Sequence, residues 1–407
     1  MRIKYITLSA VFIFLSVVSG IYYQLFYNGT NSKLLSIGFG CIAIVLYIIS
    51  QRGNKPFYIW LAVLIYMLLI GMVSAKSWPM SSYTLVWLDI PSAVFISMGL
   101  IFADNCFERY RNKIFKLIIL CALIAGAMSL VQVVGNGYSL ADRYATISDN
   151  NRAYVLWGML CSVFAYAGYS AIFSKEWRIP KITVVVLYGI LGLIFQKRSI
   201  IVNLAAITVV GVYFYSRGAS LRVKNAKKWV RTILLVGVAV IGITLLLRSN
   251  SDIQALFNNT ILRITSSDVK NYDRGREAGR FIEVSGIPRV LAGYGIGNYF
   301  ADHYGLHGML HIGYYNILYK GGVVYAAFWL YIAVKTISAL RQVKRLDVYS
   351  LACLSITIST FISMVFEFSW GETILPFCYM PFIGHICMLP KQIPNESVKR
   401  FEGNIYE

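Results

Sequence analysis

The chain has 407 residues, of which 57% are hydrophobic and only 14% charged, with a mean hydropathy of +0.62. Soluble domains carry about 25% charged residues, so this balance excludes an ordinary water-soluble fold and points to the membrane. A net charge of +20, from 38 Lys+Arg against 18 Asp+Glu, would indicate nucleic acid in a soluble protein, but in a multi-span protein it is what basic cytoplasmic loops supply.

Apolar blocks near the roughly 20-residue bilayer-spanning length predict an all-α, polytopic protein with about twelve transmembrane helices. They run 5–26, 34–50, 57–75, 84–103, 114–135, 153–174, 182–196, 199–216, 232–248, 317–338, 348–369 and 375–390. The stretch 182–216 is too long for one span and is broken only by Gln196, Lys197 and Arg198, so it reads as two spans meeting at a tight turn. With the N-terminus inside, 24 of the 38 Lys and Arg face the cytoplasm, and both termini are cytoplasmic. The first apolar run is longer than a signal-peptide core and is followed by no small-x-small cleavage site, so it reads as a retained span. The organisation is then spans 1–9 in 1–248, a long outer loop in 249–316, spans 10–12 in 317–390 and a cytoplasmic tail in 391–407.

Residues 249–316 stand apart, because every other loop has about 16 residues or fewer. Loops of this length are functional or disordered. Phe257, Ile261, Leu262, Phe281, Ile282, Val284, Val290 and Leu291, interspersed with the charges, favour a small helical subdomain resting on the outer membrane face. None of the seven cysteines lies in it, so it is not a disulfide-stapled unit. No P-loop is present. The run from Gly293 to Asn298 lacks the spacing and βαβ context of a dinucleotide loop and reads as a tight turn. Chemistry therefore has to use a substrate delivered on the outer side.

Ionisable residues within spans are functional candidates. Asp89, just before Pro91, and Glu367, near the outer end of span 11, are the two singled out; the plainer reading of Asp89 is a carboxylate at a kinked helix end near the interface. Three clusters converge on the outer surface. The first is Gln196-Lys197-Arg198-Ser199, where Arg198 could equally snorkel to headgroups. In the second, Arg274-Gly-Arg276-Glu-Ala-Gly-Arg280-Phe, helical spacing puts Arg276, Arg280 and Glu283 on one face. The third is the turn with Gly293, Gly295 and Gly297, followed by His303, His307 and His311. Histidines four apart fit a helical metal site, but Gly305 and Gly308 interrupt the helix and no Cys or carboxylate cluster completes the set, so neither metal nor other cofactor is expected. Arginine forks suit a diphosphate and can stabilise it as a leaving group. A neutral His can take the proton of an attacking hydroxyl.

The order of these features resembles the O-antigen ligase/polymerase superfamily over residues 190–330. There an Arg opens a span before a long periplasmic loop, and a second Arg, often after Gly, lies in the loop. A glycine-rich turn follows, then a His about eleven residues before a Gly in the next span. The matching residues are Arg198, Gly275-Arg276 (or Arg280), Gly293-Tyr-Gly295-Ile-Gly297-Asn298-Tyr-Phe300, and His311 with Gly322. Where the family usually has His-Asn, this chain has His311-Ile312.

The resemblance implies a metal-independent glycosyltransferase of the bacterial inner membrane with its active site on the periplasmic face. An undecaprenyl diphosphate-linked oligosaccharide would be the donor and the lipid bilayer its medium, with the chain-length regulator and flippase of the same lipopolysaccharide pathway as further partners. Catalysis would fall to His311, Arg276 and Arg280, and diphosphate binding to Arg198, Arg276 and Arg280. Of the family's two activities, polymerisation of lipid-linked repeat units is favoured over ligation of finished chains to lipid A-core. The competing class is a transporter or flippase, for which twelve spans are also usual, though a transporter concentrates its polar groups at the midplane.

Overall fold

The computed structural model describes residues 2–26, 29–50, 53–74, 88–135, 176–194, 270–302, 305–307, 310, 312–365 and 375–390, with seven isolated positions between 167 and 213. Predicted span 9, nearly all of spans 6 and 8, and the candidates Arg198, His311 and Glu367 lie outside the described residues. The described chain is helical: α1 (Arg2–Phe26), α2 (Gly29–Ile49), α3 (Lys55–Ser74), α4 (Ile90–Phe102), α5 (Glu108–Gly135), α6 (Arg178–Ile194), α7 (Lys270–Ala292), α8 (Gly313–Arg341), α9 (Val348–Ser363) and α10 (Leu375–Met388). A short antiparallel ribbon, β1 (Phe300–Asp302) with β2 (Gly305–His307), separates α7 from α8. Among the described residues four helices are long and apolar enough to cross a membrane, or five if the bent pair α4–α5 counts as one span.

α1 and α2 form a hairpin clasped by two serines in a reciprocal bond. Ser16 Oγ donates to the Ser36 carbonyl and Ser36 Oγ to the Ser16 carbonyl, each at 2.6 Å. Such bonds hold helices together where lipid offers no hydrophobic drive. Their outward residues, Val11, Phe14, Leu35 and Val45 among them, are apolar and exposed. α4 behaves differently. With thirteen residues it is short, and every position from Pro91 to Phe102 is buried. A helix apolar all round belongs in the middle of a bundle, and α2, α3 and α10 enclose it. Gly40 lets α2 approach it closely, since a Cβ there would overlap Val94 on α4.

The sequence places a basic cytoplasmic loop between spans 4 and 5. Instead α5 starts at Glu108 and leaves α4 at 83°. The bend is fixed by hydrogen bonds. Asp104 caps the 3-10 turn Asn105–Phe107 through the Cys106 amide, and Tyr47 donates to Asp104 at 2.6 Å. Arg111 donates to the Ala103 and Asp104 carbonyls, both at 2.8 Å, satisfying the orphan end of α4.

At the same end Asn54 ties two helices. Its Oδ1 accepts from the Phe57 amide at 3.1 Å as the N-cap of α3, while Nδ2 donates to the Leu100 carbonyl at 2.8 Å. Asn54→Ala is expected to cost about 1 kcal/mol, the usual value of a lost cap, read as a lower unfolding midpoint in detergent. Asn54→Asp keeps the cap but buries a carboxylate oxygen against the Leu100 carbonyl, so it should be no milder than Asn54→Ala.

Candidate functional site

The glycine run does form a tight turn, and it is packed among helices. It is inserted into the end of the bundle where α3 stops and α4 and α8 start. Gly293, Gly295 and Gly297 all have left-handed backbones, with φ of 82°, 75° and 81°, conformations open to glycine at little cost. Irregular backbone at membrane depth is tolerated only when its polar groups are satisfied by protein or water, and five consecutive amides of this turn are accounted for. Gly293 N donates to the Arg289 carbonyl (2.8 Å), Tyr294 N to Tyr319 (2.7 Å), Gly295 N to Lys320 (2.9 Å) and Ile296 N to Met67 (3.1 Å). Gly297 N donates to Asp89 Oδ2 at 2.7 Å.

The acceptors exist because α8 is broken. At Gly322 the backbone turns to φ 53° and ψ −143°, so the carbonyls of Tyr319 and Lys320 lose their usual partners one turn later and face the loop. The sequence predicts an unbroken span starting at 317; the helix starts at Gly313 and is interrupted at this glycine. On the other side Gly71 lets the turn approach α3, and the Gly71 carbonyl accepts from Asn298 Nδ2 at 2.8 Å. Tyr319 Oη closes the ring by donating to the Asn298 carbonyl at 2.8 Å.

Beneath the turn lies a buried ion pair. Lys320 Nζ is 2.8 Å from Asp89 Oδ1 and donates to Oδ2 at 3.0 Å, and both side chains are 0% exposed. Asp89 stands at a helix end, as the plainer sequence reading has it, but fully buried: it is the N-cap of α4, where the helix dipole favours an anion, and is neutralised from α8. Lys320 does not stand out in the sequence, where a lysine close to the predicted start of a span looks like an ordinary snorkelling residue. The signal that could have found it is its place two residues before Gly322, on the buried side of the helix.

The described loop is not wholly helical, since the ribbon 300–307 follows the turn. His307 stands on β2, so the four-residue spacing of the histidines does not describe a helix there. Arg276 and Arg280 are on α7, with Arg280 partly buried. Its neighbour Phe281 is fully buried in a small cluster with Leu310 and Tyr319, with Tyr294 packed against it; the Phe281 and Tyr319 rings meet edge-on at 5.7 Å. Leu310 is held further by its amide, which donates to Asn316 Oδ1 at 3.1 Å. The Asn316 Nδ2 is buried and has no hydrogen-bond partner among the described residues, which leaves a donor beside residue 310 for an incoming oxygen. Among the described residues no His, Cys, Asp or Glu cluster could hold a metal ion. Compared with known proteins, the chain matches no family model, no curated protein and no solved structure.

Proposed function

We propose that the chain is an integral-membrane, metal-independent glycosyltransferase, an O-antigen polymerase that extends lipid-linked surface polysaccharide on the periplasmic face of the bacterial inner membrane. About twelve spans with both termini inside would carry the periplasmic loop between spans 9 and 10. The hydroxyl oxygen of a lipid-linked acceptor sugar attacks the anomeric carbon of the donor glycan, and the bond from that carbon to undecaprenyl diphosphate breaks with inversion. His311 takes the hydroxyl proton, and Arg198, Arg276 and Arg280 hold the departing diphosphate.

One observation carries this reading. Phe281 and Leu310, the chain neighbours of Arg280 and His311, meet in a single cluster on Tyr319, so two segments that the proposed chemistry needs side by side share one anchor. The glycine turn then ties that anchor to α3 and α4.

The test is a strain lacking the gene, complemented with His311→Ala. Loss of a general base costs about 10²- to 10⁴-fold, so normal membrane levels of the variant with surface polysaccharide cut to single repeat units are expected. Unaltered long chains would remove His311 from the chemistry. A bare lipid A-core in the deletion strain would instead identify the ligase. The buried Asp89–Lys320 pair is what favours a transporter, since paired charges at membrane depth mark ion or substrate pathways. Movement of lipid-linked glycan across liposomes without new glycosidic bonds would support that alternative.

A further inference from the structure

We infer that residues 287–291, in the predicted extramembrane loop, form a re-entrant segment whose exposed apolar side chains lie among the acyl chains of the bilayer. The argument is one of depth. α3 has 20 residues, about 30 Å at 1.5 Å per residue and so the full thickness of a hydrocarbon core. The Ile296 amide bonds to the Met67 carbonyl, and Met67 lies about 10 Å along α3 from its last residue, Ser74. Tyr66, one residue deeper, donates from its hydroxyl to the Ala292 carbonyl at 2.9 Å. The Leu291 carbonyl abuts Gly322, so closely that a Cβ there would overlap it. The loop therefore descends well inside the ends of the helices, and residues 287–292 have to cross the outer part of that depth to reach the turn.

What these residues show to the outside is apolar. Ile287 is 71% and Leu291 49% exposed, whereas the exposed Glu283 before the kink at Gly286 sets residues 282–285 apart from this apolar face. Their surroundings continue the outward face of the spans: Leu69, Met72 and Val73 on α3 and Val323 on α8 are likewise exposed and apolar. The one cation in residues 287–292, Arg289, is accommodated by stacking over the Tyr294 ring at 4.5 Å and by a stem long enough to reach the headgroups. Pro288, just after the Gly286 kink, lacks an amide hydrogen and so adds no donor to be satisfied in lipid. The inference stands on geometry and holds whatever the chain catalyses.

The full-length protein carrying photoreactive p-benzoylphenylalanine at position 287, and separately at 291, would be placed in nanodiscs of phosphatidylethanolamine and phosphatidylglycerol, irradiated and weighed intact. The same substitution at Leu69, an exposed apolar position on the spanning-length helix α3, is the reference. Phospholipid adducts at 287 and 291, comparable to those at 69, are expected. Adducts at 69 with none at 287 and 291 would overturn the inference by placing the segment in water. Cross-links between two copies of the chain at 287 or 291 would overturn it in favour of a protein interface.

Discussion

Lys320→Met is expected to unfold the loop end of the bundle at a cost of about 3–5 kcal/mol, the range for breaking a buried ion pair from one side. The substitution leaves the Asp89 carboxylate 0% exposed with its closest cation gone. The bond from Gly297 N remains, but one amide cannot stand in for an ammonium 2.8 Å away. Asp89→Asn should be comparably damaging because it strands the ammonium. The double variant Asp89→Asn/Lys320→Met should recover most of the loss, since no uncompensated charge is then buried. Unfolding midpoints in detergent for the two single variants and the double variant give the coupling directly. Additive losses would show that the two side chains act independently.

Gly295→Ala should be nearly as severe, at about 3 kcal/mol or more, for an unrelated reason. A Cβ at this position would overlap the Gly71 amide nitrogen and crowd the Met67 carbonyl, both backbone atoms of α3, while φ is +75°. The left-handed conformation alone costs an alanine about 1 kcal/mol or more, and backbone cannot yield as a flexible side chain can. The turn must then leave its slot and lose the bonds to Lys320, Met67 and Asp89 together. Limited proteolysis should report this as new cleavage between α7 and α8. Gly279→Ala on α7 is the contrast, because a Cβ there meets nothing within 4 Å. It should be neutral or stabilise slightly, alanine being the better helix former by about 1 kcal/mol.

Local apolar runs made most of the helices legible before any coordinates. α1, α2, α3, α4, α5, α6, α8, α9 and α10 fall on predicted spans because a long apolar block admits few alternatives. The turn at Gly293, Gly295 and Gly297 was legible too, three glycines in five residues having little other use. What the sequence could not give is how deep that turn goes. Its depth depends on carbonyls released by the break at Gly322 and on space left by Gly71, which lies more than 200 residues away. The bend between α4 and α5 was hidden for a similar reason. The basic residues from 109 to 116 read as a loop, and only the bonds of Arg111 and Tyr47 around Asp104 show a helix setting off sideways. Of the buried pair, Asp89 stands out in the sequence as an acid within a predicted span but Lys320 does not, because pairing across the fold leaves no trace in the local pattern.

The 231 residues between Asp89 and Lys320 also set a timetable. At synthesis rates of about 5–20 residues per second, the lysine emerges on the order of 10 to 50 seconds after the aspartate. Throughout that interval α3 and α4 can already be in the bilayer with an acidic group and an empty groove at one end. For most of it neither the turn nor its counter-charge has yet been translated. The newborn half-protein must therefore keep Asp89 hydrated or borrow a partner, and the arrival of α8 closes the assembly by delivering the ammonium and both receiving carbonyls at once.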